Sequence, residues 1–146
     1  MNKSDFSHML ELPVRWGDAD VYGHINNVSF VRYVESGRVS YVDDVMKLSL
    51  TANMDAAWVL ADIQCSFLQQ VEYPTVLEIW TRVKKLGTKS ITLETGLYRQ
   101  GESEPVPVLT SIAVMVWFDF KAQKAAAIPV DQRETIKAYE KSLEEA

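Results

Sequence analysis

Between positions 15 and 27 the chain reads Arg-Trp-Gly-Asp-Ala-Asp-Val-Tyr-Gly-His-Ile-Asn-Asn. Two carboxylates (Asp18, Asp20), an imidazole (His24), two glycines (Gly17, Gly23) and two asparagines (Asn26, Asn27) are gathered there. Carboxylates and imidazoles are the side chains that take up, deliver or relay protons, and they also ligate metals. Asp18, Asp20 and His24 are too few for a metal centre unless another cluster completes the set, and no further His or Cys cluster follows. No G-x-S-x-G elbow points to a serine triad, and neither a G-x-G-x-x-G turn nor a phosphate-binding loop is present. The stretch therefore reads as a loop whose polar groups converge on a site, with no metal and no bound cofactor expected.

Such a loop needs rigid elements on both sides. Residues 9–16 before it read as a first strand, and Pro13 assigns that strand to a sheet edge or a bulge because proline cannot donate to a ladder. After it, Phe30, Val34, Gly37, Tyr41 and Val45 recur at spacings of four, three, four and four, which predicts a helix over 28–46 buried on one face. Asn26 or Asn27 is the natural N-cap. Gly37 in mid-helix costs about 1 kcal/mol relative to alanine, so it is expected to allow close approach to another backbone. Val28 and Val39 fall on the outer side, where contacts with another subunit have room. Residues 1–8 read as a loose polar leader.

From Ala57 onward the period changes to two. Ala57, Val59, Ala61, Ile63, Cys65 and Phe67 form one face of a strand, and Cys65 is expected in the core. Leu77 to Lys84 and Ile91 to Leu97 form a hairpin about Gly87-Thr88. Val106 to Phe120 alternate over roughly 50 Å if unbroken, with both faces apolar enough to be covered. Pro129 and the Asp131–Glu134 spacing predict a capping box and a short helix bearing Ile136, Tyr139 and Leu143. An antiparallel sheet must cover its apolar face, and the 28–46 helix is the one long candidate. The expected architecture is α+β: a curved antiparallel sheet of about five strands wrapped around one long helix, with a short C-terminal helix, the hotdog fold.

The bulk properties are compatible. A chain of 146 residues, 47% hydrophobic and 24% charged, suits a single globular domain over 1–146. A net charge of −5 argues against nucleic-acid binding. No apolar stretch is long enough for a membrane span, no secretory signal opens the chain, and the single Cys65 suits a reducing cytoplasm.

The motif from Arg15 to Asn27, followed by Phe30, Tyr33, Glu35 and Arg38, resembles the signature of acyl-CoA thioesterases related to 4-hydroxybenzoyl-CoA thioesterase, in particular their long-chain acyl-CoA branch. The resemblance covers roughly residues 10–133, and its specific part is the loop and the start of the helix. It implies an acyl-CoA thioesterase whose catalytic carboxylate is Asp20 and whose oxyanion donor is a backbone N–H at Asn27. His24 is the further catalytic candidate, and Tyr22, Gly23, Asn26 and Phe30 are the candidate substrate contacts. It also implies a homodimer or homotetramer that completes each site between subunits.

Each residue has a plainer role to weigh. Asp20 could form a turn, Asp18 could pair with Arg15, and His24 could bond a backbone carbonyl. Glu35 and Arg38 are spaced for an i,i+3 pair. Lys84, Lys85 and Lys89 could meet coenzyme A phosphates or simply solvate a turn. Two other activities fit a hotdog scaffold: an enoyl-CoA hydratase or dehydratase with an Asp/His pair, and an acyl-CoA binding domain without turnover. The first is disfavoured because its D-x-N-P-x-H loop has a spacing and a proline absent here.

Overall fold

The structure is a computed structural model describing residues 2–145. Five principal strands, β1 (His8–Pro13), β2 (Ala56–Phe67), β3 (Val76–Leu86), β4 (Ser90–Arg99) and β5 (Leu109–Asp119), pair antiparallel in the order β1-β3-β4-β5-β2. Two-residue strands β6 (Lys124–Ala125) and β7 (Glu144–Glu145) extend this curved sheet beside β5 and β3. Helix α1 (Asn27–Asp44) packs along the sheet, and the shorter α2 (Val130–Tyr139) follows the last hairpin. This is the hotdog arrangement expected from the pattern. Among the described residues no helix is long and apolar enough to cross a membrane.

Helix α1 buries Phe30, Val34, Gly37 and Tyr41, as its spacing predicts, together with Tyr33, Arg38 and Val42. Two clusters share this face. One joins Tyr41, Val42 and Val45 to Trp58, Leu93 and Trp117. The other joins Phe30, Tyr33 and Val34 to Ile79, Leu97 and Leu109, and it also takes in Val14, Ile25 and Val71. That second cluster lies beneath the 15–27 loop and pins both of its ends by apolar burial. Gly37 brings helix and sheet together: a Cβ there would lie 2.5 Å from Ile79 Cγ2 and 3.1 Å from Thr81 Oγ1.

Several expectations need correction. Strand β1 ends at Pro13, and Trp16–Asp18 forms a 3₁₀ turn; the edge position of β1 agrees with its proline. The N-terminal leader is not loose, because Phe6 is buried, Lys3 pairs with Glu78, and Arg82 lies over the Phe6 ring. In β2 a bulge between Leu60 and Asp62 reverses the alternation, so Trp58 faces inward before it and Ile63 and Cys65 after it. Val59 is consequently exposed, whereas Phe67, on the inward face with Ile63 and Cys65, is partly open because it ends the strand. Strand β5 starts at Leu109 because Pro105 and Pro107 have no N–H to donate. Its second face is only partly covered: Ile112 is 45% exposed, and Thr110, Val114 and Val116 are half-buried. Pro129 caps α2 without a side-chain bond, so the Asp131–Glu134 capping box does not form, and Leu143 lies beyond the helix. Arg38 is buried, and its Nη1 finds no acceptor among the described residues, so the expected pair with Glu35 does not form.

The closeness at Gly37 sets a clear expectation. Gly37→Ala gains about 1 kcal/mol of helix propensity but forces a methyl into Ile79, which is fully buried. Overpacking of this kind costs typically about 1–3 kcal/mol. Chemical denaturation should show stability between unchanged and about 2 kcal/mol lower, and a variant more stable than the parent would contradict the packing described.

Candidate active site

The loop between β1 and α1 is held by its own backbone. Asp18 N donates to Arg15 O (3.0 Å), Asp20 N donates to His24 O (2.7 Å), and Gly23 N donates to Asp20 O (3.0 Å). Ala19 and Ile25 form an antiparallel bridge, so residues 19–25 make a miniature hairpin. Its tip needs a left-handed residue, which Gly23 supplies at φ +82°; a Cβ there would touch nothing, so the demand is purely conformational. The hairpin is anchored to the β2–β3 connection through Ile25 N to Val71 O (2.8 Å) and a His24–Glu72 bridge.

Asn26 begins the helix. Its side-chain Oδ1 accepts from Ser29 N (3.0 Å) and its carbonyl accepts from Phe30 N (3.1 Å). The N–H groups of Asn27 and Val28 find no acceptor among the described residues. Two donors at the positive end of an eighteen-residue helix are therefore left for an incoming oxygen or anion. Of the two asparagines, Asn26 is the cap and Asn27 the first helical residue.

The Asp20 carboxylate is exposed yet oriented. Its Oδ1 accepts from Tyr22 N (2.9 Å) and His24 N (3.2 Å), whereas Oδ2 has no partner among the described residues. The His24 contact to this carboxylate comes from its backbone; its ring Nε2 lies 3.5 Å from Glu72 Oε1 instead. Asp18 does not use Arg15's guanidinium. Its Oδ2 accepts from the Tyr33 hydroxyl at 2.5 Å, and its carbonyl accepts from Asn26 N at 3.1 Å. Burial of the ring, then the Asp18 carboxylate, push the Tyr33 phenol well above its ordinary range, so it remains a donor.

A cavity of about 650 Å³ opens between this hairpin, the first turn of α1 and the end of β2. Asp20, Tyr22, His24, Asn26, Asn27 and Phe30 all line it, so six of the seven residues singled out from the sequence converge; Gly23 shapes the turn and is not in the wall. Ile25 and Val28 complete this side. The opposite wall, Phe67 to Gln70, was not anticipated. Phe67 packs near Phe30 (ring centroids 6.3 Å apart), and Gln69 is held by Arg99 (2.7 Å) and Pro107 O (3.2 Å). The exposed apolar Phe67-Leu68 pair next to the pair of glutamines was the available signal. Among the lysines, Lys84 pairs with Glu94 (3.0 Å). Lys85 and Lys89 flank the β3–β4 turn, at the end of the sheet bound to α2 and away from this cavity. Among the described residues no group of three or more His, Cys, Asp or Glu side chains is gathered to hold a metal.

Comparison with known proteins identifies the family. The thioesterase-like superfamily profile matches residues 14–136, which spans both the loop and the sheet. YsmA of Bacillus subtilis, functionally uncharacterised, is 31% identical over 134 residues, covering 92% of this chain and 88% of its own. The long-chain acyl-CoA thioesterase FadM of Escherichia coli is 24% identical over 126 residues, 86% of this chain and 94% of its own. A thioesterase from Thermus thermophilus, solved with coenzyme A and zinc, superimposes with a TM-score of 0.77 at 24% identity, covering 93% and 96% of the two chains, and so shares the fold. The chain belongs to the thioesterase-like superfamily and is a thioester hydrolase.

The cap is testable independently of chemistry. Asn26→Ala removes the acceptor for Ser29 N and should lower stability by about 1 kcal/mol, whereas Asn26→Asp should retain most of it. Equilibrium denaturation of the two variants side by side checks the assignment; equal losses would contradict it.

Proposed function

We propose that the substrate is an acyl-CoA thioester, hydrolysed to the free acid and coenzyme A in the cavity between the 19–25 hairpin and the first turn of α1. The observation that carries this reading is the asymmetry of Asp20. One carboxylate oxygen is tied to two backbone N–H groups, and the other, unpartnered among the described residues, belongs to a side chain that lines the same cavity as a helix N-terminus whose first two N–H groups find no acceptor there. A nucleophilic or basic oxygen next to an oxyanion receptor is what acyl transfer requires.

In the chemistry this supports, the thioester oxygen accepts from Asn27 N–H and Val28 N–H. Charge develops there as the tetrahedral intermediate forms, and each such donor typically contributes about 3–4 kcal/mol. Asp20 Oδ2 either removes a proton from the attacking water or attacks the carbonyl carbon itself to give a mixed anhydride that water then cleaves. In both routes the C–S bond breaks and the thiolate leaves as coenzyme A, taking a proton. The His24 imidazole lines the same cavity and is the candidate to supply it. Tyr22 and Phe30 offer ring surface to the substrate, Gly23 closes the hairpin that carries Asp20, and Asn26 fixes where the receptor begins.

FadM's assignment as a long-chain acyl-CoA thioesterase and the coenzyme A bound by the Thermus protein support the substrate class. The cavity is broadly open, and Tyr22, Val28 and Phe67 are exposed around it. A homodimer or homotetramer that covers these side chains and Val39 fits both the exposure and the need to exclude water.

A thiol-release assay across short, long and aromatic acyl-CoA substrates tests the reading. Wild type should turn over part of this panel, and Asp20→Ala and Asp20→Asn should each reduce kcat by about 100-fold or more. Full activity in either variant would remove Asp20 from the chemistry.

A further inference from the structure

We propose that Asp18 and Tyr33 act as a positioning pair that sets Asp20 at its working distance from the N–H groups of Asn27 and Val28. This rests on the reading of Asp20 given above and assigns function to two residues outside the cavity wall. Tyr33 lies six positions inside α1, its side chain is 6% exposed, and its ring meets Phe30 edge-on at 6.0 Å. It is thus a fixed point on the helix. Its hydroxyl reaches back to Asp18 Oδ2 at 2.5 Å, a charge-assisted bond of the strong class.

Asp18 grips the helix through its main chain as well, because its carbonyl accepts from Asn26 N at 3.1 Å and Ser29 Oγ at 3.5 Å. Without the Tyr33 hydroxyl, the Asp18 carboxylate retains, among the described residues, only Arg15 N, at 3.4 Å. Asp20 is two residues further on and is otherwise fastened within its own hairpin, through bonds to Tyr22 and His24. Those bonds fix the shape of the hairpin but not its place relative to α1. Within the 15–20 segment, Ala19 packs against the cluster on the buried face of the helix, and the Asp18–Tyr33 bond is the directional, polar contact that reaches it. Misplacement of a reacting group by about 1 Å can cost 100-fold in rate.

The test separates placement from binding and folding. Tyr33→Phe deletes one oxygen and keeps the ring packing; Asp18→Ala removes the acceptor from the other side. Each should lower kcat between about 10- and 100-fold with KM for the acyl-CoA nearly unchanged. The double variant should fall no further than either single, because both remove the same bond. Asp18→Asn keeps an oxygen for the Tyr33 hydroxyl and should recover most of the lost kcat. Wild-type kcat in Tyr33→Phe, losses that multiply in the double variant, or a fall expressed only in KM would each overturn the pair. Asp20→Ala is assayed alongside: if it is inactive while Tyr33→Phe is fully active, the pair alone fails, and if it is active the reading of Asp20 fails first. Should Tyr33→Phe prove unstable by circular dichroism, Asp18→Ala against Asp18→Asn decides the question.

Discussion

The first turn of an α-helix leaves backbone N–H groups that the helix cannot satisfy, and much of this molecule is arranged around what happens to them. Asn26 caps Ser29 N, and the Asn26 carbonyl takes Phe30 N, which leaves Asn27 and Val28 as the open donors. Open donors are useful only where they are aimed and held still. The hold comes from behind, since α1 lies against β3 at Gly37, close enough that even a methyl group would collide with Ile79. It also comes from below, where Ile25, Phe30, Tyr33, Val71 and Leu97 share one apolar cluster. The sheet therefore acts as a support whose geometry is transmitted to a pair of N–H groups.

The loop solves a second problem, that of holding a carboxylate on the wall of the same cavity without burying it. Asp20 is exposed, so its charge needs no buried partner, and its orientation comes from two short-range backbone bonds. Those bonds depend on a hairpin that closes only because Gly23 takes a left-handed conformation. His24 contributes its backbone to Asp20 and its ring to the neighbourhood of Glu72, which divides its main-chain and side-chain roles. Flexibility within the hairpin is thus limited at both ends, by Ile25 bonded to Val71 and by Asp18 bonded to Tyr33.

How much of this could be read in the chain depends on the range of each interaction. The stripe through Phe30, Val34, Gly37 and Tyr41 is local, and it correctly placed α1 and its buried face. The position of Pro13 correctly placed β1 at an edge. Features set by a distant partner were not legible. The bulge at Leu60–Asp62 depends on pairing with β5, so the alternation of Ala57 to Phe67 pointed to the wrong face for half the strand. Asp18 and Arg15 looked like partners because they are close in sequence, whereas fifteen residues separate Asp18 from the tyrosine it bonds. Phe67 to Gln70 reach the cavity through sheet topology alone. The local motif gave the near wall of the site, and long-range pairing supplied the far one.

In the proposed reaction, the first turn of α1 receives the substrate's carbonyl oxygen. Amide NMR titration with a hydrolysis-resistant acyl-CoA analogue that keeps a carbonyl, such as the amide in place of the thioester, addresses that directly. The N–H resonances of Asn27 and Val28 should show the largest downfield shifts, with smaller changes at Tyr22 and Phe67. Saturable binding that leaves Asn27 and Val28 unmoved, with the large shifts elsewhere on the sheet, would contradict it.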